Sequence, residues 1–260
     1  MAFERASDYF VGMAEPVTII GSFVSPYVRK VLACLNLKGV AYVVDPITPF
    51  FGDDDYHRMS PLRRIPVLID GDFSVSDSTV IAAFVDDAYP GHPLFPADPR
   101  DRARARWLEE YADTRLGDLI IWNLFYQRIV RPLVWGEPTD EARVRDALDS
   151  IPTALDYLET QAPEDGFAFG EIGLADISIA SFFRNAAYAD FTIDAARWPR
   201  TAGWVERTLA DPAIASLLPF EDVQRNATIK GRRQALIDAG APLSERSWGM
   251  REPKRGLMPL

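Results

Sequence analysis

Apolar and polar positions follow two regimes along this 260-residue chain, and the change comes near residue 90. Before it, short runs dominate. Val17-Thr18-Ile19-Ile20, Ala41-Tyr42-Val43-Val44 and Val67-Leu68-Ile69 are β-branched or apolar runs of strand length. Phe73 and Val75 alternate with polar neighbours as a fourth strand, joined to the third by the turn signal Asp70-Gly71. Pro66 opens the third strand, where a missing N–H is tolerated, and its X-Pro bond is a candidate for the cis form. Between the first two strands, Val28, Val31, Leu32 and Leu35 recur at helical spacing. Ser25-Pro26 supplies an N-cap and a first-turn proline, and Lys38-Gly39 a stop. Val80, Ile81, Phe84 and Val85 mark another helix, capped by Asp77 or Ser76. Asp53 to Ser60 is polar and irregular, one or two helical turns. Strand–helix–strand implies a parallel crossover, so residues 17–88 read as a small α/β domain of the form βαβ-ββα.

Residues 89–99 contain four prolines and read as a linker. Beyond them strand alternation disappears. Helices are expected over Arg100 to about Val130, Thr139–Gln161, Leu174–Tyr188 and Trp198–Leu209, with a short one after Asp211-Pro212, making an all-helical domain of residues 100–218. Residues 1–16 have no periodicity and read as a loose arm. Residues 219–260 carry eight Lys/Arg against five acids, whereas the whole chain has a net charge of −10. Such a basic tail folds back over the acidic body, reaches a partner subunit, or ends in disorder; the pattern leaves the three open.

A hydrophobic content of 48% suffices for one large or two modest cores. The acidic balance argues against nucleic acid and anionic membrane as partners. No apolar run approaches the ~20 residues that span a bilayer, and Met1 to Pro16 lacks a basic-then-apolar signal pattern. A cytoplasmic location is therefore expected. The single cysteine, Cys34, excludes an internal disulfide, and with His57 and His92 far apart no residues show metal-ligand spacing, so no metal is expected.

The stretch from Arg64 to Ser78 brings a strand edge, a turn and a helix N-terminus to one end of the sheet. Free N–H groups and the macrodipole draw carboxylates to such a terminus, which suits a small anionic peptide. Ile65-Pro66-Val67-Leu68 followed by Asp77-Ser78, with the thioredoxin-like α/β domain, linker and helical domain around them, resembles the glutathione transferase superfamily over roughly residues 17–218. The resemblance is to bacterial, serine-type members, like the zeta, delta and theta classes. It implies a cis Pro66, Ile65 pairing its backbone with the cysteinyl part of glutathione, Asp77 and Ser78 holding the γ-glutamyl end, and Arg64 where relatives carry Lys or Gln. It also implies a homodimer.

Ser25 is the candidate catalytic residue. A thiol with an unperturbed pKa of ~8.5 is only a few per cent thiolate at neutral pH, and a hydroxyl at a helix N-terminus stabilises the anion. Ser25 sits at such a terminus and matches the catalytic serine of the serine-type classes. It also serves as a helix cap; the two roles coexist because a hydroxyl donates and accepts. Ser22 and Tyr27 are the fallbacks. Cys34, buried between Leu32 and Leu35, disfavours thiol–disulfide chemistry. Trp107, Tyr111, Arg115, Trp122 and Tyr126 recur at helical steps near one stripe, where core packing competes with a pocket for a hydrophobic or aromatic electrophile. The resemblance sets that pocket against this helix, so Trp107, Tyr111 and Arg115 are taken as substrate-binding candidates with Phe23 and Val24. Arg115 meets an acidic group or pairs with Asp118 or Tyr111. Gly173-Leu174-Ala175-Asp176 resembles the family's capping box, with Gly in place of Ser/Thr. Glutathione-dependent aryl-ether cleavage, isomerisation or dehalogenation, and a non-catalytic glutathione-binding module, are the competing readings.

Overall fold

The computed structural model describes residues 15–255. The arm expected over residues 1–16 lies outside them apart from its last two positions, as do the last five residues of the tail. Strands β1 (Val17–Ile20), β2 (Tyr42–Asp45), β3 (Val67–Asp70) and β4 (Phe73–Ser76) form one sheet in the order β2-β1-β3-β4. β1 and β2 are parallel and the other pairings antiparallel. The parallel pair requires a crossover, supplied by α1 (Pro26–Lys38). Its N-cap is Ser25 and its stop is Gly39 at φ 67°. The β3–β4 turn lies on Gly71 and Asp72, one residue later than Asp70-Gly71, because Asp70 pairs with Phe73 and Gly71 takes the positive φ. A short 3₁₀ turn (Pro49–Phe51) and α2 (Asp54–Met59) precede β3, and α3 (Ser78–Ala88) follows β4 with Asp77 as its cap. The Ile65-Pro66 bond is cis.

After the linker come α4 (Pro99–Tyr111), a π-helix (Ala112–Trp135), α5 (Glu141–Gln161), α6 (Leu174–Tyr188), α7 (Pro199–Ala210) and α8 (Pro212–Ala215). The helix expected over 100–130 therefore changes winding at residue 112 and runs on to Trp135, an unusual length for a geometry ordinarily confined to single turns. Gly173 caps α6 without a side chain. Asp176 closes the box, accepting from Gly173 N at 2.9 Å, Ala168 N at 2.8 Å and Trp204 Nε1 at 2.6 Å.

The expected tail boundary at 218/219 falls inside a helix, α9 (Leu218–Asn226), which α10 (Arg232–Asp238) follows. Both pack on the α/β domain: Leu217, Leu218, Phe220 and Leu236 join the core that contains Val28, Val31 and Leu32. Beyond α10 the chain crosses the β2 edge. Val44 N donates to Pro242 O and Ser244 N to Val44 O, and Trp248 inserts among Ile20, Tyr56 and Val67. Of the three dispositions left open for the tail, the described part folds back over the body.

Candidate functional site

Gly21 opens the loop between β1 and α1. A Cβ there would lie 2.4 Å from Val28 Cγ2 and 3.2 Å from Ile65 Cβ, so only glycine lets the start of α1 approach the loop before β3 this closely. That approach brings Ser25 and Ile65 to one cavity of about 700 Å³ between the α/β domain and the π-helix. Val24, Ser25, Arg64, Ile65, Asp77 and Ser78 lie on its wall, and Pro66 is buried immediately behind Ile65.

Two distant elements fix the loop that carries Ser25. Phe23 N donates to Gln224 Oε1 at 2.8 Å from α9, while Gln224 Nε2 holds Pro46 O at 2.8 Å. Asn185 Nδ2 of α6 donates to Val24 O at 3.0 Å. Beneath the loop, Arg29 is fully buried and bidentate to Glu221, at 2.5 and 2.7 Å, and also reaches Ser181 O and Asn185 Oδ1. Ser25 Oγ accepts from Val28 N at 3.4 Å, a weak cap. At α3, Asp77 Oδ1 accepts from Thr79 N and Val80 N, at 3.0 and 3.2 Å.

Between these two helix starts lies a buried charge cluster. Lys30 Nζ reaches Asp113 Oδ2 at 2.7 Å and Glu109 Oε1 at 3.0 Å, and Thr79 Oγ1 donates to Asp113 at 3.1 Å. Burial works against the Lys30 charge, but Asp113 and Glu109 outweigh it and raise its pKa. Burial pushes the Tyr27 phenol well above its ordinary value, with Asp113 adding to the shift, and its hydroxyl meets Asp113 O at 3.4 Å. It is therefore no source of a phenolate near neutral pH. Burial likewise raises the Cys34 thiol, which touches only core.

Four of the pocket candidates need correcting. Phe23 points into the α/β core against Phe220, 5.5 Å between ring centroids. Trp107, 53% exposed, donates Nε1 to Tyr157 OH, and the Tyr111 ring packs at a tilt against the same Tyr157 ring, 4.6 Å between centroids. Arg115 lies with Tyr111, whose phenol it influences, and not on the cavity wall. The winding explains the split. Seven residues make almost two turns of an α-helix, which aligns Arg115 with Trp122. They fall well short of two turns in the wider π-helix, so Trp122 and Tyr126 face the cavity and the earlier three do not. The apolar wall consists of Trp122, Phe125, Tyr126, Ile129 and Leu133, met from the other side by Phe50, 5.4 Å from Trp135.

Sequence reasoning missed Phe50, Thr79, Asp113 and the tail residues Gln224, Arg225 and Arg232 on the cavity wall. Only the tail's basic excess hinted at the last two.

Comparison with known proteins agrees with this geometry. The family model "Glutathione S-transferase, N-terminal domain" matches residues 19–93, and "Glutathione S-transferase, C-terminal domain" matches residues 141–207. A glutathione S-transferase of Triticum aestivum is 30% identical over 217 residues, covering 79% of this chain and 94% of its own. The Tau class glutathione S-transferase of mango, Mangifera indica, superposes with a TM-score of 0.62 at 25% identity, covering 85% of this chain and 98% of its own. A glutathione S-transferase structure from Rhodospirillum rubrum shares the fold, with a TM-score of 0.73 at 20% identity over 84% of this chain and 99% of its own. With two family models matching over both parts of the chain and a relative at 30% identity, the chain belongs to the glutathione S-transferase family.

Proposed function

We propose that the protein is a serine-type glutathione transferase, in which Ser25 stabilises the thiolate of glutathione while it attacks a hydrophobic, aromatic electrophile. The observation that carries this reading is Ser25 on the cavity wall at the N-terminus of α1, its side chain engaged only in a weak acceptance from Val28 N among the described residues. The hydroxyl hydrogen is left to donate to sulfur, and the helix dipole favours the same anion. The thiol proton passes to solvent, the S–C bond forms at the electrophilic carbon, and the leaving group departs with its electron pair.

Ile65 lines the same wall and would align the cysteinyl backbone. At α3, Asp77 Oδ1 takes the N–H groups of Thr79 and Val80, which leaves the Ser78 N–H and hydroxyl for the γ-glutamyl carboxylate and Asp77 Oδ2 for its ammonium. Arg64 and the buried Pro66 complete that side. Trp122, Phe125 and Tyr126 favour a flat aromatic acceptor over a polar one. No metal takes part in this scheme. Phe73 on β4 and Val80 on α3 are exposed apolar residues of the α/β domain, which supports a homodimer interface on that domain. No helix among the described residues is long and apolar enough to cross a membrane.

The test is conjugation of glutathione to chlorodinitrobenzene by wild type and Ser25→Ala. A fall in kcat/KM of about a hundredfold, with glutathione still bound by calorimetry, is expected. Unchanged turnover would remove Ser25 from the reaction. Tight glutathione binding by wild type without turnover of any electrophile would favour a non-catalytic module.

A further inference from the structure

Of the eight Lys and Arg in the tail, four are paired with acids of the body and two line the cavity. Arg233 pairs with Asp45 at 3.4 Å, Arg246 with Asp55 at 3.0 Å, Lys254 with Asp54 at 3.7 Å and Arg255 with Glu137. Those four tie the tail to the acidic body. Arg225 and Arg232 form no ion pair among the described residues, and both line the cavity.

The acids nearest to them are engaged elsewhere. Glu221 accepts from Arg29 and Tyr188 and lies 3.5 Å from Arg184; Asp222 pairs with Arg184 at 2.9 Å; Asp45 holds Arg233 and the Trp248 N–H. Arg232 Nε is sealed from solvent without a hydrogen-bond partner. Burial, unopposed by any carboxylate, pulls that guanidinium below its ordinary pKa, although an arginine stays protonated at neutral pH. Arg225 is held over the Tyr188 ring, 5.0 Å to its centroid, which orients the guanidinium without neutralising it. The carboxylates that line the cavity, Asp77, Glu110, Asp113 and Asp118, come from α3, α4 and the π-helix. Arg63 and Arg64 bring further positive charge from the loop before β3, and on the tail side Arg225 and Arg232 line the cavity with no carboxylate among the described residues paired to either. Arg232, partly buried and without an acid partner, carries a desolvation cost that an incoming anion removes, and the exposed Arg225 adds a second guanidinium to the same cavity wall.

We propose that Arg225 and Arg232 form a carboxylate-binding subsite in this cavity. The carboxylate is either an acid group on the acceptor or the glycyl end of glutathione; Arg is suited to both by its planar, multidentate donor set. The inference rests on the transferase reading, which it sharpens by naming what one wall recognises.

Two matched pairs separate the sources. The first is chlorodinitrobenzene against the corresponding chlorodinitrobenzoate as acceptor; the second is glutathione against its glycyl amide as donor. Each is assayed by kcat/KM in wild type, in Arg225→Gln/Arg232→Gln, and in Arg246→Gln, whose partner Asp55 lies outside the cavity. Loss of a charge-assisted bond predicts that the double variant reduces the acid-over-neutral preference about tenfold or more in one pair, and Arg246→Gln in neither. A change in the acceptor pair assigns the carboxylate to the electrophile, and a change in the donor pair assigns it to glutathione. Preferences unchanged in both pairs would overturn the subsite and leave the transferase reading standing. If wild type shows no turnover, fluorescence titration with dinitrobenzoate and dinitrobenzene, and with glutathione and its glycyl amide, still reads the subsite. Tighter binding of dinitrobenzoate than of dinitrobenzene, or of glutathione than of its glycyl amide, that the double variant abolishes would support it while the transferase reading fails; equal binding within both pairs would overturn it.

Discussion

Ser25 does two jobs with one hydroxyl, and both follow from where Pro26 forces the helix to begin. Proline at the first helical position fixes φ and contributes no N–H, so the N-terminal turn of α1 has few donors of its own. A sulfur anion placed there takes the Ser25 O–H, a donor that the weak acceptance from Val28 N does not use. Tyr27, one residue on, is a control for proximity alone. Its hydroxyl reaches a backbone carbonyl at 3.4 Å and its pKa is raised, so Tyr27→Phe should change kcat/KM on chlorodinitrobenzene less than about threefold. A hundredfold loss would move the activating role to the phenol. Ser25, Ile65 and Asp77-Ser78 were legible in the sequence because caps, prolines and turns act within a few residues. The misplacement of Trp107, Tyr111 and Arg115 has the opposite origin. Which side of a helix a residue faces depends on every intervening turn, and the switch to π winding at Ala112 has no local signal such as Gly or Pro at the switch itself.

At the scale of elements, the unexpected piece is α9. It supplies Glu221 to Arg29, Gln224 to the loop carrying Ser25, and Phe220 to the ring of Phe23. The helix was hidden in the sequence because its buried face is partly polar: Glu221 and Gln224 are among its buried residues, and a reading by apolar periodicity skips them. A fully buried ion pair is costly to break from one side, since the other charge is left without a partner. Glu221→Ala should therefore destabilise the fold by about 3–5 kcal/mol in chemical denaturation, whereas Glu110→Ala, exposed at the cavity rim, should cost within about 0.5 kcal/mol. Equal effects would mean that α9 does not brace α1. The Asp176 box makes a second case. Removal of its carboxylate strands Gly173 N, Ala168 N and Trp204 Nε1, so Asp176→Ala should cost at least about 3 kcal/mol by the same measurement.

Across the whole molecule, the tail works as a strap. It pairs with Val44 at the sheet edge, seats Trp248 against Ile20, Tyr56 and Val67, and then runs along residues 50–53: Asp53 N donates to Trp248 O, Met250 N to Phe51 O and Lys254 N to Phe50 O. At its described end Arg255 stacks on Trp135, 4.8 Å from the ring centroid, and pairs with Glu137. The strap thus joins the α/β domain to the far end of the π-helix and holds Phe50, an aromatic wall of the cavity, against the Trp135 ring. An exposed edge strand is also covered in the process. The tail's charge was legible in the sequence and its path was not, because one tryptophan among polar residues has no period to read. Trp248→Ala should lower stability by about 3–5 kcal/mol and raise KM for the aromatic acceptor more than KM for glutathione. A variant of wild-type stability would show that the strap lies on the surface without supporting it.

The claim on which the account depends is that Ser25 lowers the pKa of bound glutathione. Ultraviolet titration of the thiolate in the binary complex tests it directly, with wild type and Ser25→Ala compared at saturating glutathione. The predicted result is a wild-type midpoint at least one unit below the free-thiol value of ~8.5 and a variant midpoint close to it, a difference of about 1.4 kcal/mol per unit in thiolate stabilisation. Coincident midpoints in the two proteins, with both saturated, would contradict the account.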